Sequence, residues 1–146
     1  MNNIEKQIHD NFQKAFFDAI DETINSKNPD NEWICRLYEE IKITLLRYLK
    51  KDSKTYKSID ESFDVDLFKQ MISNDVFDCI SMIKLINNTF YWIEQMQAPI
   101  RDEFSRKAKE IVLSSEPNKI VSSFLKEVHK CLEYLDEDMY NYFEKK

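Results

Sequence analysis

The sequence contains no glycine and only three prolines among its 146 residues. Glycine supplies the backbone conformations needed for tight hairpin turns and phosphate-binding loops, so its absence argues against both kinds of structure. Hydrophobic residues nevertheless make up 42% of the chain and aromatic residues 13%, which is enough to form a core. The composition therefore predicts an all-α protein, and the length fits a single helical domain over residues 1–146.

Long apolar runs and basic charge are also scarce. No run approaches the roughly 20 apolar residues needed to cross a bilayer, and the N-terminus lacks the features of a signal peptide. We therefore predict no membrane span and a cytoplasmic or nuclear location. The net charge of −6 argues against a nucleic-acid partner. Cys35, Cys79 and Cys131 are widely spaced among apolar residues, which predicts reduced core thiols.

Apolar residues recur every three to four positions along the chain, which predicts a bundle of about six helices. The first two are expected over about residues 3–26 and 31–51. A helical turn near residues 58–63 and a short helix from Asp64 follow. The next helix, about Asp75 to Gln97, is apolar on most of its circumference, so we predict that it is the buried central helix of the bundle.

The long C-terminal helix has the most regular periodicity. Its apolar residues alternate spacings of four and three over three heptads, which is typical of a helix that packs lengthwise along a narrow seam. The seam consists of Val121, Leu125, Val128, Leu132, Leu135, Met139 and Tyr142. An internal partner helix and a monomer are the favoured interpretation. A homodimer joined through these heptads is the alternative.

No group of residues indicates catalysis, a cofactor or a metal. His9 and His129 lie on separate terminal helices, without the neighbours that would make either a catalytic base. Asp60, Asp64 and Asp66 lack the glycine and the spaced glutamate of a calcium loop, so they are interpreted as helix caps. We therefore predict no catalytic, cofactor-binding or metal-binding residue.

The segment 98–103 marks a helix start and includes a candidate docking site. Pro99 suits the first turn of a helix, and Asp102 and Glu103 place negative charge at its positive end. Arg101 would then reach the preceding helix or a terminal carbonyl. Alternatively, Arg101, Asp102 and Glu103 form a docking surface for a protein partner, because arginine is enriched at the centres of interfaces.

One basic cluster interrupts the acidic chain near its second helix. It consists of Arg47, Lys50, Lys51, Lys54 and Lys57. The structural interpretation is that cations are favoured near a helix C-terminus and in a solvated loop. The functional alternative is a patch that meets anionic lipid or an acidic partner.

Three motifs, in this order, resemble those of the T-complex protein 11 family, a testis-expressed group that shares a helical domain. They are Leu37-Tyr38-Glu39-Glu40-Ile41-Lys42, Asp64-Val65-Asp66-Leu67-Phe68-Lys69-Gln70 and Ala98-Pro99-Ile100-Arg101-Asp102-Glu103. The resembling block covers about residues 37–111. Family members commonly carry glycine where this chain has Asn74, so Asn74 is expected to adopt a left-handed conformation at a helix end.

The resemblance implies a non-enzymatic protein-interaction module, similar to signalling adaptors linked to the cAMP and protein kinase A pathway. Family members are typically several times longer than this chain. The alternative interpretation is a structural subunit that self-assembles through the C-terminal heptads.

Overall fold

The structure, a computed structural model, describes residues 3–24, 32–73, 79–116 and 119–144. Across these ranges the chain forms seven α-helices and one 3₁₀ turn, with no strand. The helices are α1 Asn3–Ile24, α2 Glu32–Leu46, α3 Lys54–Ser62, α4 Val65–Ser73, α5 Cys79–Met96, α6 Asp102–Leu113 and α7 Ile120–Glu144, and the 3₁₀ turn is Pro99–Arg101. The predicted all-α class and the long C-terminal helix are confirmed.

Helix α7 is the element around which the bundle is built. It packs against α1, α2, α5 and α6. Its seam residues Val121, Leu125, Val128, Leu132 and Leu135 are buried within the chain, and Met139 packs partly buried against the core. The predicted seam is wrong at Tyr142, which is 54% exposed because it lies in the last turn of α7. The structure thus provides the internal partners that the first interpretation of the seam requires, whereas the oligomeric state stays a prediction.

Helix α5 is buried on one face only. Ile86 and Ile93 are fully buried, and Met82 and Phe90 nearly so. Ile83, by contrast, is 38% exposed, so the expectation that α5 is buried around most of its circumference is wrong at this position. The reason is that α5 packs against α2, α6 and α7, which leaves its remaining surface to solvent. Asn74 and Asp75, with their predicted helix end, lie outside the described residues.

An aromatic group joins α2 to α3 and α4. The Tyr38 ring stacks on Phe68 at a centroid distance of 4.2 Å and lies 5.8 Å from Phe63 in a tilted arrangement. Lys42, one turn after Tyr38, donates a hydrogen bond from Nζ to the Phe63 carbonyl at 3.0 Å and pairs with Asp60 at 3.1 Å. Two of the motifs behind the family resemblance therefore meet in the core between α2 and α4.

Two side-chain caps determine where the short helices begin. The backbone N–H of Tyr56 donates to Ser53 Oγ at 3.1 Å, which starts α3 at Lys54 rather than near Ser58 as predicted. The backbone N–H of Leu67 donates to Asp64 Oδ1 at 3.0 Å, which confirms Asp64 as a cap for α4. Helix α2 ends at Leu46, earlier than predicted, and a turn connects it to Ser53.

Ile86 and Ile83 form a matched pair for testing the buried face of α5. Ile86→Asp would bury an unpaired carboxylate at a fully buried position, so we expect it to cost several kcal/mol or to prevent folding. Ile83→Asp makes the same chemical change on the more exposed side of the same helix and should cost about 1 kcal/mol or less. Urea denaturation followed by circular dichroism measures both, and equal losses would contradict the assigned face.

Candidate docking surface

Arg101 is held by two contacts to α7. Its Nε donates to Asp138 Oδ2 at 3.0 Å and its Nη2 to Asp138 Oδ1 at 2.8 Å, so the ion pair is bidentate. The guanidinium carbon also lies 4.2 Å from the centre of the Tyr134 ring, a cation–π contact. Arg101 therefore reaches α7, and not the preceding helix or a terminal carbonyl as the sequence suggested.

The ion pair shifts the pKa values of both partners. The hydrogen bonds from Arg101 are the main cause of a lowered pKa at Asp138, and the same bonds raise the pKa of Arg101. The two side chains remain 29% and 27% exposed respectively, so solvent still reaches the pair. The Asp138 carboxylate therefore has a partner within the chain, although it lies in a run of three acidic residues, 136–138.

The other two residues of the predicted docking site also have partners within the chain. Asp102 Oδ1 accepts a hydrogen bond from Gln97 Nε2 at 2.8 Å, and the same nitrogen lies 2.9 Å from Ser105 Oγ. Glu103 pairs with Lys107 one turn later, at 3.3 Å, and both side chains are largely exposed. Asp102 and Glu103 occupy the first turn of α6, where their charge complements the helix dipole.

Exposed apolar side chains surround the Arg101–Asp138 pair. Ile100 is 86% exposed, Phe104 36% and Tyr142 54%. The Phe104 ring meets Tyr134 edge-on at 4.8 Å, and Tyr134, Asp138 and Tyr142 share one face of α7 because they are four residues apart. We call this region the Arg101 surface; it consists of Ile100, Arg101, Phe104, Tyr134, Asp138 and Tyr142. The sequence signal that could have identified the Arg101 surface is the four-residue spacing of Tyr134, Asp138 and Tyr142.

A groove of about 760 Å³ adjoins the Arg101 surface between α1, α6 and α7. Phe104 and Tyr134 line the groove and also belong to the Arg101 surface. Inside the groove, the buried Glu127 pairs with Lys130 at 3.5 Å, a contact that the apolar spacing of α7 does not indicate. The groove gives the Arg101 surface a concave neighbour with mixed charge.

The predicted basic cluster divides into two parts. Arg47 pairs with Asp136 of α7 at 3.7 Å, and the Tyr48 hydroxyl donates a hydrogen bond to the same carboxylate. Lys50, Lys51, Lys54 and Lys57 are exposed, and we call these four the lysine cluster. Arg47 therefore belongs to the contact between α2 and α7, whereas the lysine cluster faces solvent.

His129 lies in the contact between α7 and α2. It hydrogen-bonds the Leu37 backbone, while its Nε2 is buried and has no hydrogen-bond partner among the described residues. Burial is the main cause of its lowered pKa, which the nearby Glu40 and Glu133 partly oppose. The side chain of His9 lies outside the described residues. His129 is therefore a half-buried contact residue held mainly in its neutral form.

The cysteines that the structure describes are free and buried. Burial raises the pKa of the Cys131 thiol to about 12 and also raises the pKa of Cys35, as predicted for reduced core thiols. The side chain of Cys79 is outside the described residues.

Within the described ranges, no three His, Cys, Asp or Glu side chains are grouped to hold a metal ion. No helix in that part of the chain combines the length and apolarity that crossing a bilayer requires.

The fold and this surface define a class of protein: an all-α bundle built around its last helix, with an arginine-centred apolar surface beside a groove. Comparison with known families identifies the family. The model of the T-complex protein 11 family matches residues 1–143, so the chain belongs to this family. The match extends on both sides of the block 37–111 from which the resemblance was drawn.

The chain is similar to two human relatives. It is 27% identical over 142 residues to T-complex protein 11-like X-linked protein 1 and, to the same extent, to T-complex protein 11-like X-linked protein 2. In each case the match covers 97% of this chain but 26% of the relative, so the chain spans about a quarter of the length of these relatives. No solved structure matches the chain significantly.

The Arg101–Asp138 pair should contribute to stability in a pH-dependent way. We expect Arg101→Gln and Asp138→Asn to lower the melting temperature at pH 7, and the double variant to lose less than the sum of the two. Because the folded pKa of Asp138 lies below its ordinary value of 3.8, the contribution is present above that value and is lost as pH falls through the folded pKa.

Melting curves between pH 7 and pH 3 test this expectation, with Lys107→Gln as the control because it removes only the exposed pair with Glu103. The wild type and Arg101→Gln should converge as the solution is acidified. A difference between them that is independent of pH would contradict the role of the ion pair.

His129 should make the protein less stable in mild acid. Its folded pKa is lowered from 6.5, so the unfolded chain takes up a proton more readily as pH falls below that value. We expect His129→Gln to lose less stability than the wild type between pH 7 and pH 5. Urea titrations at both pH values measure the difference, and parallel losses in the two proteins would contradict the assignment.

Proposed function

We propose that the chain is a non-enzymatic protein-interaction module, a single helical domain that binds a partner through the Arg101 surface. The observation that carries the proposal is Ile100, a large apolar side chain left 86% exposed beside the Arg101–Asp138 pair. Burying one isoleucine against a partner stabilises a complex by roughly 2 kcal/mol. Exposed apolar side chains grouped around charged residues are typical of protein-binding sites.

In this proposal Arg101 positions the surface and is not itself the main point of contact. Both of its hydrogen-bonded nitrogens face Asp138, and its planar group lies over Tyr134. These contacts join the 3₁₀ turn, which contains the exposed Ile100, to the end of α7, which contains the exposed Tyr142. Asp102 and Glu103 then provide charge at the rim. The predicted docking residues therefore remain part of the proposed site with different roles.

The family resemblance supports a more specific proposal. We infer a cytoplasmic signalling adaptor linked to the cAMP and protein kinase A pathway. The support for the pathway is the resemblance alone, whereas the support for binding is the exposed surface. Because the chain spans 26% of the relatives' length, their further segments carry no argument about this chain.

Self-assembly through the C-terminal heptads is the second candidate function. The seam from Val121 to Leu135 is buried within the chain, so a second copy would have to use the last turns of α7. Tyr140 and Phe143 are exposed there, together with Tyr142 of the Arg101 surface. Both candidate functions thus involve the same end of the molecule and require an experiment that identifies what is bound.

Site-specific photo-crosslinking tests the proposal. A benzophenone amino acid at position 100 should crosslink to a defined protein, and excess unlabelled wild type should suppress the product. Unlabelled Ile100→Ser should suppress it much less, because it lacks the apolar contact. Leu113, exposed at the other end of α6, is the matched control position.

The identity of the product distinguishes the two functions. A heterologous protein crosslinked from position 100 and not from 113 supports the interaction module. A product that contains only a second copy of the chain supports self-assembly. Equal products from both positions would show that the Arg101 surface has no special role.

A further inference from the structure

The lysine cluster is a concentration of unpaired positive charge on an acidic protein. Lys50, Lys51, Lys54 and Lys57 are exposed, and none of the ion pairs in the described part of the chain includes them. The whole chain carries a net charge of −6. The four ammonium groups therefore form a local positive patch on a protein whose net charge is negative.

The connection between α2 and α3 brings the four lysines together. Ser53 Oγ donates a hydrogen bond to the Lys50 carbonyl at 2.7 Å, and the Ser53 backbone N–H donates to the same oxygen at 3.0 Å. Ser53 also caps α3, which begins at Lys54. One serine thus places the turn containing Lys50 and Lys51 directly against the first turn of α3.

Two of the lysines occupy the electrostatically unfavourable end of a helix. Lys54 is the first residue of α3 and Lys57 the fourth, and the first turn contains no acidic residue. A helix N-terminus carries partial positive charge, so cations there are destabilising. The structural explanation of the basic cluster assigned its cations to a helix C-terminus and a solvated loop, and it fails for Lys54 and Lys57 because both lie in the first turn of α3. A negatively charged partner would offset the repulsion between these lysines and the positive end of α3.

We propose that the lysine cluster binds an acidic segment of a partner protein, one with a run of aspartate, glutamate or phosphorylated residues. This inference rests on the proposed function as an interaction module and adds the chemistry of the partner. The cluster spans the connecting turn at Lys50 and Lys51 and the first turn of α3, a length that a short extended peptide can follow. An anionic bilayer fits less well, because an extended negative surface is repelled by a chain whose net charge is −6, whereas a short peptide meets the cluster alone.

Titration with a fluorescein-labelled polyglutamate peptide tests the proposal. The wild type should bind saturably, with affinity that falls as salt is added. Lys54→Gln/Lys57→Gln should weaken binding about 25-fold, because each lysine near an anionic surface contributes about a fivefold change in affinity and the two factors multiply. Lys69→Gln/Arg106→Gln removes the same charge at two other exposed positions and should change affinity less than about twofold.

Thermal stability separates a binding role from a structural one. Lys54→Gln/Lys57→Gln should melt at the same temperature as the wild type or slightly higher, since it relieves repulsion at the helix end. A lower melting temperature, an absence of saturable binding, or equal weakening in both double variants would overturn the inference. Binding to vesicles that contain phosphatidylserine, without binding to the peptide, would also overturn it and assign the cluster to lipid.

Failure of this inference can be told apart from failure of the proposed function. Ile100→Ser should leave the peptide titration unchanged, because Ile100 belongs to a different surface. Specific crosslinking from position 100 combined with no peptide binding would remove the lysine inference alone. Peptide binding without specific crosslinking would remove the role of the Arg101 surface alone.

Discussion

The apolar seam of α7 is the constraint on which the rest of the structure depends. A helix of 25 residues is roughly 37 Å long, and no single short helix can cover an apolar seam of that length. The chain covers it with α1, α2, α5 and α6, each packed against part of it. Because burial of apolar side chains is the main favourable term in folding, this arrangement determines which faces of the other helices point inward.

Polar contacts on either side of the seam orient the helices that the apolar core brings together. Asp136 binds Tyr48 and Arg47 at the end of α2, and Asp138 binds Arg101 at the 3₁₀ turn. The two carboxylates are two residues apart on α7 and so point to different sides of it. Apolar packing is weakly directional, whereas a bidentate ion pair has a defined geometry. These contacts therefore fix the positions of the two surfaces to which we assign binding.

The two proposed surfaces differ in how they depend on the core. The Arg101 surface needs α7, because Asp138 and Tyr134 hold the turn that presents Ile100. The lysine cluster depends on a local feature, the Ser53 side chain that caps α3. It also depends on the ion pair between Arg47 and Asp136, because this pair leaves the four lysines as the unpaired cations of that region. A partner that contacts both surfaces would combine an apolar contact with an acidic segment.

Periodicity predicted the presence of the helices, and the acidic residue before an apolar run predicted the cap at Asp64, because both signals depend on residues close together in the sequence. Periodicity did not predict the start of α3, because the side-chain cap at Ser53 sets that start and the apolar spacing does not. Ile83 shows a limit of a different kind: an apolar side chain on a helix can face either the core or solvent, and only the positions of α2, α6 and α7 decide which.

The sequence by itself determined the all-α class, the long C-terminal helix with its apolar seam, and the family, because composition and spacing carry that information. Only the tertiary structure decided that Arg101 pairs with Asp138, 37 residues later in the chain, and that Lys54 and Lys57 stand at the positive end of a helix. The physical reason is that the interaction energy of two charges depends on the distance between them in space. That distance is set by how the helices pack and where they begin, which a linear pattern does not contain.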